Sequence, residues 1–279
     1  MDTVVAQSVA SDRTGAGGHG EHDIELSIDG PIARVVIARE HDANRLTPAS
    51  LARLKDIAAE LSSSTSVQVL VITGEGDACF SMGLLTPELK SKMAKDEILS
   101  LIRLANETYD AIEALPQIVV AAVRGFAWAG AAELMLACDI RLAASSARFR
   151  MPEALWGGFP GVGGPVRLPQ IVGYGRALEL VASGREFDAE EAYRMGLLER
   201  VVPAERFDQE VGTFLNGVAR SGPLALRGAK RVMRVRQEPG FRAARELSDA
   251  LRHAFEWTAD ADEGMAAHLE HRTPRFAGR

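Results

Sequence analysis

Residues 119–164 read VVAAVRGFAWAGAAELMLACDIRLAASSARFRMPEALWGGFPGVGG, and this stretch decides the fold. It begins within an apolar run that is rich in β-branched residues and reaches Gly125, which is typical of a strand buried on both faces. A helix is predicted to open at residues 129–132, with Glu133 among apolar neighbours in its first turn. A second carboxyl group, Glu153, follows Pro152 on a later loop.

The opening of this helix is a candidate binding site for negative charge. The first backbone N–H groups of a helix have no partner within the helix, and the macrodipole adds positive charge there. Such donors stabilise an oxygen that becomes negative during a reaction. Gly130 has no side chain to obstruct that approach. From spacing alone, Gly83 and Gly130 are better explained as ordinary turn and helix-start residues.

The composition describes a globular protein of one large or two modest domains. The chain has 279 residues, of which 47% are hydrophobic, enough for a sizeable core. A net charge of −6 argues against nucleic acid or an anionic membrane as the main partner. No apolar run approaches the ~20 residues of a membrane helix. We therefore expect a soluble protein without a membrane partner.

Two cysteines, Cys79 and Cys138, give neither a disulfide framework nor metal-ligand spacing. They fit a reducing compartment, so a cytoplasmic protein with two small buried thiols is expected. No metal constellation and no phosphate-cradling glycine motif is present. The sequence therefore predicts no metal and no nucleotide triphosphate.

The first part of the chain follows a ββαβ pattern. Residues 1–22 lack apolar periodicity and are predicted to be a disordered leader. Alternating apolar residues on either side of Asp29-Gly30 predict a β-hairpin. Thr47 followed by Pro48 predicts the start of an amphipathic helix. Residues 67–73 then give a buried strand.

The pattern of strands and helices continues to the C-terminus. Residues 86–93 and 96–115 predict two helices, the second ended by Pro116. Further strands are predicted at 118–123, 140–143 and 147–151. After residue 164 the chain is predicted to be wholly helical, over 168–183, 188–195, 204–219, 223–235, 241–257 and 260–270. Composition and pattern together indicate a mixed α/β fold with a repeated ββα unit.

Five motifs, in their order and spacing, resemble the enoyl-CoA hydratase/isomerase (crotonase) superfamily over residues 24–276. The motifs are GEGDACFSMG at 74–83, RGFAWAGAAE at 124–133, Pro152-Glu153, PGVGG at 160–164 and EEAYRMGL at 190–197. The resemblance implies a spiral core of ββα repeats over residues 23–200. It also implies a helical C-terminal trimerisation region over residues 201–279, and hence a homotrimer or a dimer of trimers.

The resemblance also assigns roles to individual residues. Glu133 and Glu153 stand where family hydratases carry two glutamates, which implies that Glu133 acts on water and Glu153 protonates the α-carbon. The backbone N–H groups of Leu84 and Gly130 are implied to form the oxyanion hole. Apolar neighbours are expected to disfavour the charged form of Glu133. The implied substrate contacts are Ala43, Met82, Gly83, Leu85 and Trp128.

The chain departs from the family pattern beside this site. Leu85 replaces the usual aspartate, and Leu84 is bulkier than the usual small residue. Because the oxyanion donor is a backbone group, these changes alter the pocket wall and not the donor. Trp128 either narrows the acyl site or packs in the core, and the sequence leaves both interpretations open.

Coenzyme A contacts are implied at two places. Residues 39–46 resemble the family loop that meets the nucleotide end, although Glu40 replaces the usual proline. Arg39 and Arg45 either pair with phosphate or are solvated surface residues. The family also places basic and aromatic residues near the C-terminus, here His268, His271, Arg272 and Phe276.

The resemblance therefore implies an enzyme that adds water across the double bond of a 2-enoyl-CoA to give a 3-hydroxyacyl-CoA. It needs no separate cofactor, because coenzyme A is part of the acyl-CoA substrate. An isomerase, a hydrolase of C–C bonds and a lyase are alternatives, since one fold serves several acyl-CoA reactions. A non-catalytic acyl-CoA-binding protein is a further alternative. Its mark would be a lost glutamate or a blocked oxyanion site, and neither glutamate is missing.

Overall fold

A computed structural model of the chain describes residues 23–237 and 241–275. The predicted leader and Phe276 lie outside these residues. The strands are β1 (Ile24–Asp29), β2 (Ile32–Ile37), β3 (Val69–Gly74), β4 (Cys79–Ser81), β5 (Ile118–Val123), β6 (Phe126–Trp128), β7 (Ile140–Ala144), β8 (Arg148–Arg150), β9 (Glu186–Asp188) and β10 (Arg200–Val202). The helices are α1 (Pro48–Ser62), α2 (Pro87–Lys90), α3 (Lys95–Glu113), α4 (Gly130–Leu136), α5 (Gly164–Val172), α6 (Tyr174–Ser183), α7 (Ala189–Arg194), α8 (Phe207–Ala219), α9 (Pro223–Gln237), α10 (Phe241–Glu256) and α11 (Ala259–Leu269).

The strands form two sheets, and successive strands from β3 to β8 alternate between them. The first sheet has the order β1-β2-β3-β5-β7-β10, and the second has the order β4-β6-β8-β9. Thus β3, β5 and β7 each enter the first sheet, and β4, β6 and β8 follow them into the second. Helices or a 3-10 turn come after each pair. This arrangement confirms the predicted spiral of ββα repeats.

The central strands are buried on both faces, as their apolar sequences predict. Val69, Val71 and Val120 pack on one face against α8. Their neighbours Leu70 and Ile72 point to the opposite face and join the main core. That core also includes buried residues of α1 and α3, two helices that pack together. Because alternate residues of a strand point to opposite faces, each central strand contributes side chains to both apolar cores.

The N-terminal elements match their sequence signals closely. The β1–β2 hairpin is antiparallel and turns at Asp29-Gly30. The side chain of Thr47 accepts a hydrogen bond from the N–H of Ser50 at 3.1 Å, which caps α1. Both cysteines are buried free thiols.

The prediction of an all-helical chain after residue 164 is wrong in two respects. The short strands β9 and β10 lie in this region, and β10 extends the first sheet to Val202, past the predicted boundary at residue 200. Three residues are too few to display an alternating pattern. The predicted helix over 168–183 is two helices, because Gly173 has φ 83° and ψ 155°. That conformation cannot continue a helix.

Smaller differences concern helix ends. Helix α2 stops at Lys90, before the predicted end at Met93. The segment 204–206 is a 3-10 turn that precedes α8. Across residues 23–237 and 241–275, no helix is long and apolar enough to cross a membrane.

The last two helices fold back onto the spiral core. Helix α10 packs against α5 and α3, and α11 packs against α2 and a 3-10 turn over Glu153–Trp156. The backbones are close: a Cβ atom added at Gly264 would lie 2.3 Å from the carbonyl of Trp156. The C-terminal helices therefore cover the loops that follow β4 and β8.

Candidate active site

A pocket of about 550 Å³, including its open mouth, lies between the start of α4 and the C-terminal helices. Its lining comes from the loop after β4, the first turn of α4, the turn after β8, and helices α2, α3, α10 and α11. The lining residues are Leu84, Leu85, Pro87, Lys90, Ile102, Ala129, Gly130, Glu133, Glu153, Trp156, Gly158, Phe159, Gly161, Val162, Arg252 and Met265.

Glu133 is held rigidly in the first turn of α4. Its side chain is buried, and Oε1 accepts hydrogen bonds from the N–H groups of Val162 at 2.9 Å and Gly164 at 2.7 Å. A Cβ atom at residue 164 would lie 2.9 Å from this oxygen, so only glycine leaves room for the carboxyl group. The segment over residues 161–164 is thus shaped around one carboxylate oxygen, while Oε2 accepts no hydrogen bond within the described residues.

Arg167 also holds the segment over residues 161–164 in place. Its Nη1 donates to the carbonyl oxygen of Val162 at 3.2 Å, and its Nη2 donates to Asp110 at 2.6 Å and Glu113 at 2.7 Å. The residue is almost fully buried, and the two carboxylates compensate its charge. Arg167 therefore positions Glu133 through the backbone that binds it.

Glu153 begins the 3-10 turn after Pro152 and is half-buried. Its Oε2 is buried and has no hydrogen-bond partner among the residues that the structure describes. Burial raises the pKa of Glu153, and the nearby charge of Glu133 raises it further. Burial also raises the pKa of Glu133, although the two N–H donors and Arg167 oppose that shift. The state that these interactions favour is an ionised Glu133 beside a protonated Glu153.

The predicted oxyanion donors lie on adjoining backbone segments. A Cβ atom at Gly130 would lie 3.5 Å from the nitrogen of Leu84, and one at Gly83 would lie 2.9 Å from the nitrogen of Gly130. Within residues 23–237 and 241–275, neither the N–H of Leu84 nor that of Gly130 has a hydrogen-bond partner. Gly83 has φ 82°, which favours glycine, and this conformation allows the close approach. Two unpaired N–H donors thus lie along one wall.

The segment that presents Gly130 has two further features. Ala129 has φ 50° and ψ −126°, a conformation that is strained for a residue with a side chain. The hydroxyl of Tyr109 donates to the carbonyl oxygen of Gly130 at 2.8 Å. Tyr109 is fully buried, and burial raises its pKa well above the ordinary value, so it stays a neutral donor. The sequence analysis did not identify Tyr109, since a tyrosine in an amphipathic helix is usually a core residue.

Five of the predicted site residues line the pocket, and four do not. Leu84, Leu85, Gly130, Glu133 and Glu153 come together as predicted. Among the others, Met82 donates its N–H to the carbonyl of Ala43 at 3.1 Å, and the carbonyl of Gly83 accepts from Leu46 at 2.9 Å. These contacts support the Leu84 loop from behind.

Trp128 does not line the pocket, so it does not narrow it. Its ring makes an edge-to-face contact with Phe126, with ring centroids 5.2 Å apart. The guanidinium of Arg150 lies 5.4 Å from the ring centroid. The packing interpretation of Trp128 is therefore the one that the structure supports.

Acidic side chains surround the basic residues that were considered for coenzyme A. Arg39 pairs with Asp23 at 2.7 Å and with Asp42 at 3.0 Å. Asp42 also accepts from Arg45 at 3.3 Å. Near the C-terminus, His268 contacts Glu88 at 2.9 Å, and Arg272 contacts Glu263 and Glu270. Contact with coenzyme A phosphates stays a prediction for all of these residues.

The arrangement suits acid–base chemistry next to a carbonyl group. One carboxylate and one carboxylic acid share the pocket with two free amide donors, and these are the groups that an enolate-like intermediate requires. Among the described residues, no group of three or more His, Cys, Asp or Glu is placed to hold a metal ion. A spiral of ββα repeats that carries this site defines the crotonase class of proteins.

Comparison with known proteins agrees with this class. The sequence profile described as enoyl-CoA hydratase/isomerase matches residues 27–279, and the chain belongs to that family. It is 34% identical over 258 residues to the crotonyl-CoA hydratase of Syntrophomonas wolfei, covering 92% of this chain and 98% of that protein. It is 33% identical to the 2,3-dehydroadipyl-CoA hydratase of Escherichia coli, covering 91% and 94%.

Solved structures give the same result. An enoyl-CoA hydratase from Bacillus anthracis superposes with a TM-score of 0.74 at 32% identity, covering 92% of this chain and all of that one (100%). An enoyl-CoA hydratase from Mycobacterium avium subsp. paratuberculosis superposes with a TM-score of 0.81 at 26% identity, covering 91% and 98%. The fold expected from the sequence motifs is thereby confirmed.

Proposed function

We propose that this protein is an enoyl-CoA hydratase that adds water to a 2-enoyl-CoA and forms a 3-hydroxyacyl-CoA. The observation that carries the proposal is the pairing of Glu133 and Glu153 in one pocket with the unpaired N–H groups of Leu84 and Gly130. The relatives named as hydratases, which match nearly the whole chain, support the same reaction.

The thioester carbonyl oxygen binds between the N–H groups of Leu84 and Gly130. Negative charge grows on this oxygen when water attacks the β-carbon, and the two donors stabilise it. Loss of one such donor typically raises the barrier by ~3 kcal/mol. The hydrogen bond from Tyr109 to the Gly130 carbonyl fixes the peptide that precedes Ala131 and steadies this wall.

The two glutamates divide the proton transfers. Ionised Glu133, anchored through Oε1, uses Oε2 to take a proton from the attacking water. Protonated Glu153 gives its proton to the α-carbon, so the alkene gains one hydroxyl group and one hydrogen. The overall reaction is the addition of one water molecule to the alkene. The proton that Glu133 has taken must return to Glu153 before the next cycle.

An ultraviolet assay tests the reaction. Hydration ends conjugation between the alkene and the thioester, so the absorbance of crotonyl-CoA or a longer 2-enoyl-CoA should fall when enzyme is added. Lack of turnover on a broad enoyl-CoA panel, with binding of the esters intact, would favour a non-catalytic acyl-CoA-binding protein.

One observation bears on that alternative. The side chain of Leu84 lies over Gly130, because a Cβ atom at residue 130 would be 2.1 Å from Leu84 Cδ1. The Leu84→Ala variant removes this cover. If the wild type is inactive and Leu84→Ala hydrates crotonyl-CoA, the leucine blocks the oxyanion donors. If the wild type is the more active of the two, the leucine is only a wall of the pocket.

We also propose that the protein assembles as a homotrimer or a dimer of trimers. Helix α9 exposes Leu224 (82%) and Val232 (71%), and the end of α10 leads to Trp257 (54%). Apolar side chains with this exposure favour an interface between copies. Size-exclusion chromatography with light scattering measures the state, and a fully active monomer at micromolar concentration would contradict it.

The setting that fits this enzyme is the cytoplasm, because both cysteines are free thiols buried in the fold. No separate cofactor is required, since the coenzyme A thioester supplies the activated carbonyl. Activity of enzyme that has been dialysed against a chelator, in buffer containing only the ester, tests this point.

A further inference from the structure

A buried group of ions lies at the wall of the pocket that holds the two glutamates. Lys90 and Arg252 both line the pocket, and Glu256 lies between them; we call these three residues the ion cluster. Arg252 Nη1 donates to Glu256 Oε2 at 2.5 Å, and Lys90 Nζ lies 3.4 Å from the same oxygen. Arg252 and Glu256 are 5% and 3% exposed. An acyl pocket for purely apolar chains has no need of such a cluster.

The charges of the ion cluster do not balance. Two cations share a single carboxylate oxygen. Burial lowers the pKa of Lys90, but the charge of Glu256 opposes that shift. Within these three residues the cations outnumber the carboxylates by one, and the charge of Arg252 also acts on Glu133.

Arg252 also has unused hydrogen-bond donors. Its Nε is buried and has no hydrogen-bond partner among residues 23–237 and 241–275, and Nη1 is its one donor that reaches an acceptor there. A guanidinium carries five N–H donors. Leaving a buried donor unpaired is costly, and the cost is larger for a charged group. Among the described residues, the guanidinium at the pocket wall thus has one carboxylate acceptor and a buried Nε without a partner.

Lys90 and Arg252 line the same pocket as the catalytic pair and the oxyanion donors. The charge of Arg252 acts on both Glu133 and Glu153, so Arg252 is close to the pair. Lys90 lies one turn into α2, after the Leu84 loop. An acyl chain with its carbonyl oxygen at Leu84 and Gly130 therefore extends into a pocket that Arg252 and Lys90 also line.

We propose that the preferred substrate is a 2-enoyl-CoA whose acyl chain ends in a carboxylate, which binds to Arg252 and Lys90. This inference rests on the proposed hydratase function and names the substrate class of the same pocket. A bound carboxylate gives the two cations two acceptors and balances the charge of the ion cluster. An apolar tail would instead bury the guanidinium further and offer it no acceptor.

The surroundings leave this position to a substrate. Glu153 is the protonated member of the glutamate pair, so it adds little negative charge here. The adjoining acid Asp262 pairs with Lys95 at 3.1 Å and lines a neighbouring cavity that Lys90 and Glu256 also line. Ionised Glu133, whose charge Arg252 stabilises, is the acid that opposes a substrate carboxylate, and the two cations offset that repulsion.

A pair of matched esters tests the proposal in the wild type. One is a six-carbon 2-enoyl-CoA with a terminal carboxylate, and the other has an isopropyl group of the same shape in place of that carboxylate. The kcat/KM for the charged ester should be about tenfold to hundredfold higher, the value of a hydrogen-bonded charge pair. Equal or faster hydration of the isopropyl ester would overturn the proposal and leave the hydratase function standing.

Three variants locate the effect. Arg252→Met and Lys90→Met should each lower the preference for the charged ester by about tenfold. Lys95→Met is the matched control: it removes a neighbouring lysine that does not line the pocket, and it should keep the preference. Preference unchanged in both Arg252→Met and Lys90→Met would also overturn the proposal. The wild-type ratio remains decisive if Arg252→Met does not fold.

A binding measurement separates this proposal from the proposed reaction. Saturated analogues of the two esters cannot be hydrated, so calorimetry reports their dissociation constants alone. Tighter binding of the carboxylated analogue supports the substrate class even if no ester is hydrated, in which case the hydratase function alone fails. Equal binding of the two analogues overturns the inference on substrate class.

Discussion

The two walls of the pocket are held in place by different forces. Around Glu133, the α4 wall is positioned by backbone hydrogen bonds and by contacts that leave no room for a side chain at residue 164. On the opposite side, α10 and α11 are held by helix packing and by the ion pairs of Arg252 and Lys90. Backbone contacts fix atoms more tightly than long side chains do. We therefore expect the first wall, formed by α4, to determine the rate of the reaction. The second wall, formed by α10 and α11, should determine which substrate is preferred.

The largest effect should come from removing the proton transfers of the first wall. Glu133→Gln or Glu153→Gln keeps the size of the side chain but should lower kcat by ~100-fold or more, while binding of the ester changes little. Because the two groups act as a unit, the double variant should be scarcely worse than the more damaged single variant. Steady-state kinetics by ultraviolet absorbance measures each rate.

Glu107→Gln is the control for this series, since it removes an exposed carboxylate that pairs with Lys55. It should match the wild type. Exchange of the substrate α-proton with solvent gives a second measurement: an isomerase or lyase could depend on one carboxylate and keep exchange in the other variant. Hydration at the wild-type rate by Glu153→Gln would rule out the proposed mechanism.

The next effect tests whether backbone packing positions the catalytic carboxylate. Gly164→Ala adds a Cβ atom 2.9 Å from Glu133 Oε1 and should displace the carboxyl group. We expect kcat to fall about tenfold or more, since a misplacement of ~1 Å costs up to about 100-fold. Overpacking should also cost about 1–3 kcal/mol of stability.

The matched control is Gly212→Ala, a helical position on α8 where an added Cβ meets nothing within 4 Å. That change should raise stability by up to about 1 kcal/mol and leave kcat unchanged. If Gly164→Ala retains full kcat, the carboxylate does not depend on this backbone cradle.

A smaller effect concerns pH. Burial and the charge of Glu133 raise the pKa of Glu153 above its value in the unfolded chain. A carboxyl group with a raised folded-state pKa contributes stability below its unfolded pKa of about 4.3, and that contribution is lost as pH rises toward the folded-state pKa. Glu153→Gln should therefore gain stability relative to the wild type as the pH rises, by ~1.4 kcal/mol for each unit of elevation.

Thermal unfolding of both proteins between pH 5 and pH 8 measures this difference, in steps of about one unit. The comparison of two proteins cancels the contribution of titrating groups that do not interact with Glu153. A constant difference between them across that range would mean that Glu153 titrates as an ordinary exposed glutamate. The kcat/KM of the wild type should also decline at high pH, since the general acid loses its proton.

The smallest effect tests the strain beside the oxyanion wall. Ala129 has φ 50° and ψ −126°, so Ala129→Gly should relieve strain and stabilise the protein by about 1 kcal/mol. For a chain of this size that is about 2–4 °C in Tm, measured by scanning calorimetry. Ala131→Gly, two residues along in ordinary helical conformation, should destabilise instead. A lower Tm in Ala129→Gly would show that the alanine methyl contributes more packing than strain.

The fold was largely predictable because its signals are local. The strand over residues 118–123 was predicted with the bounds that the structure gives, since a β-branched run with sharp ends can be nothing else. The cap at Thr47 and the hairpin at Asp29-Gly30 also follow from neighbouring residues. Strands β9 and β10 were not predicted, because a strand of three residues takes its conformation from the sheet that it joins. The break at Gly173 depends on a glycine conformation that a helical apolar pattern conceals.

The same distinction applies to the site. Glu133, Glu153, Leu84 and Gly130 were predicted from the resemblance of their motifs to those of the family, and the structure places all four on one pocket. Arg252 and Lys90 were missed because they come together only when α10 folds back over α2, far from it in sequence. An arginine in an amphipathic helix has the same appearance whether it faces solvent or a pocket. The residues of the second wall are brought together by tertiary packing, which no local sequence pattern encodes.

The close contact between α11 and the turn that carries Glu153 has a kinetic consequence. Because the backbone of Gly264 rests directly on that of Trp156, no side-chain rotation can widen the pocket on this side. Any opening here requires the helix to lift as a unit, a collective motion on the microsecond to millisecond scale. Passage of a bulky product past this helix would then set an upper limit on turnover that is independent of how quickly the carboxyl groups exchange protons.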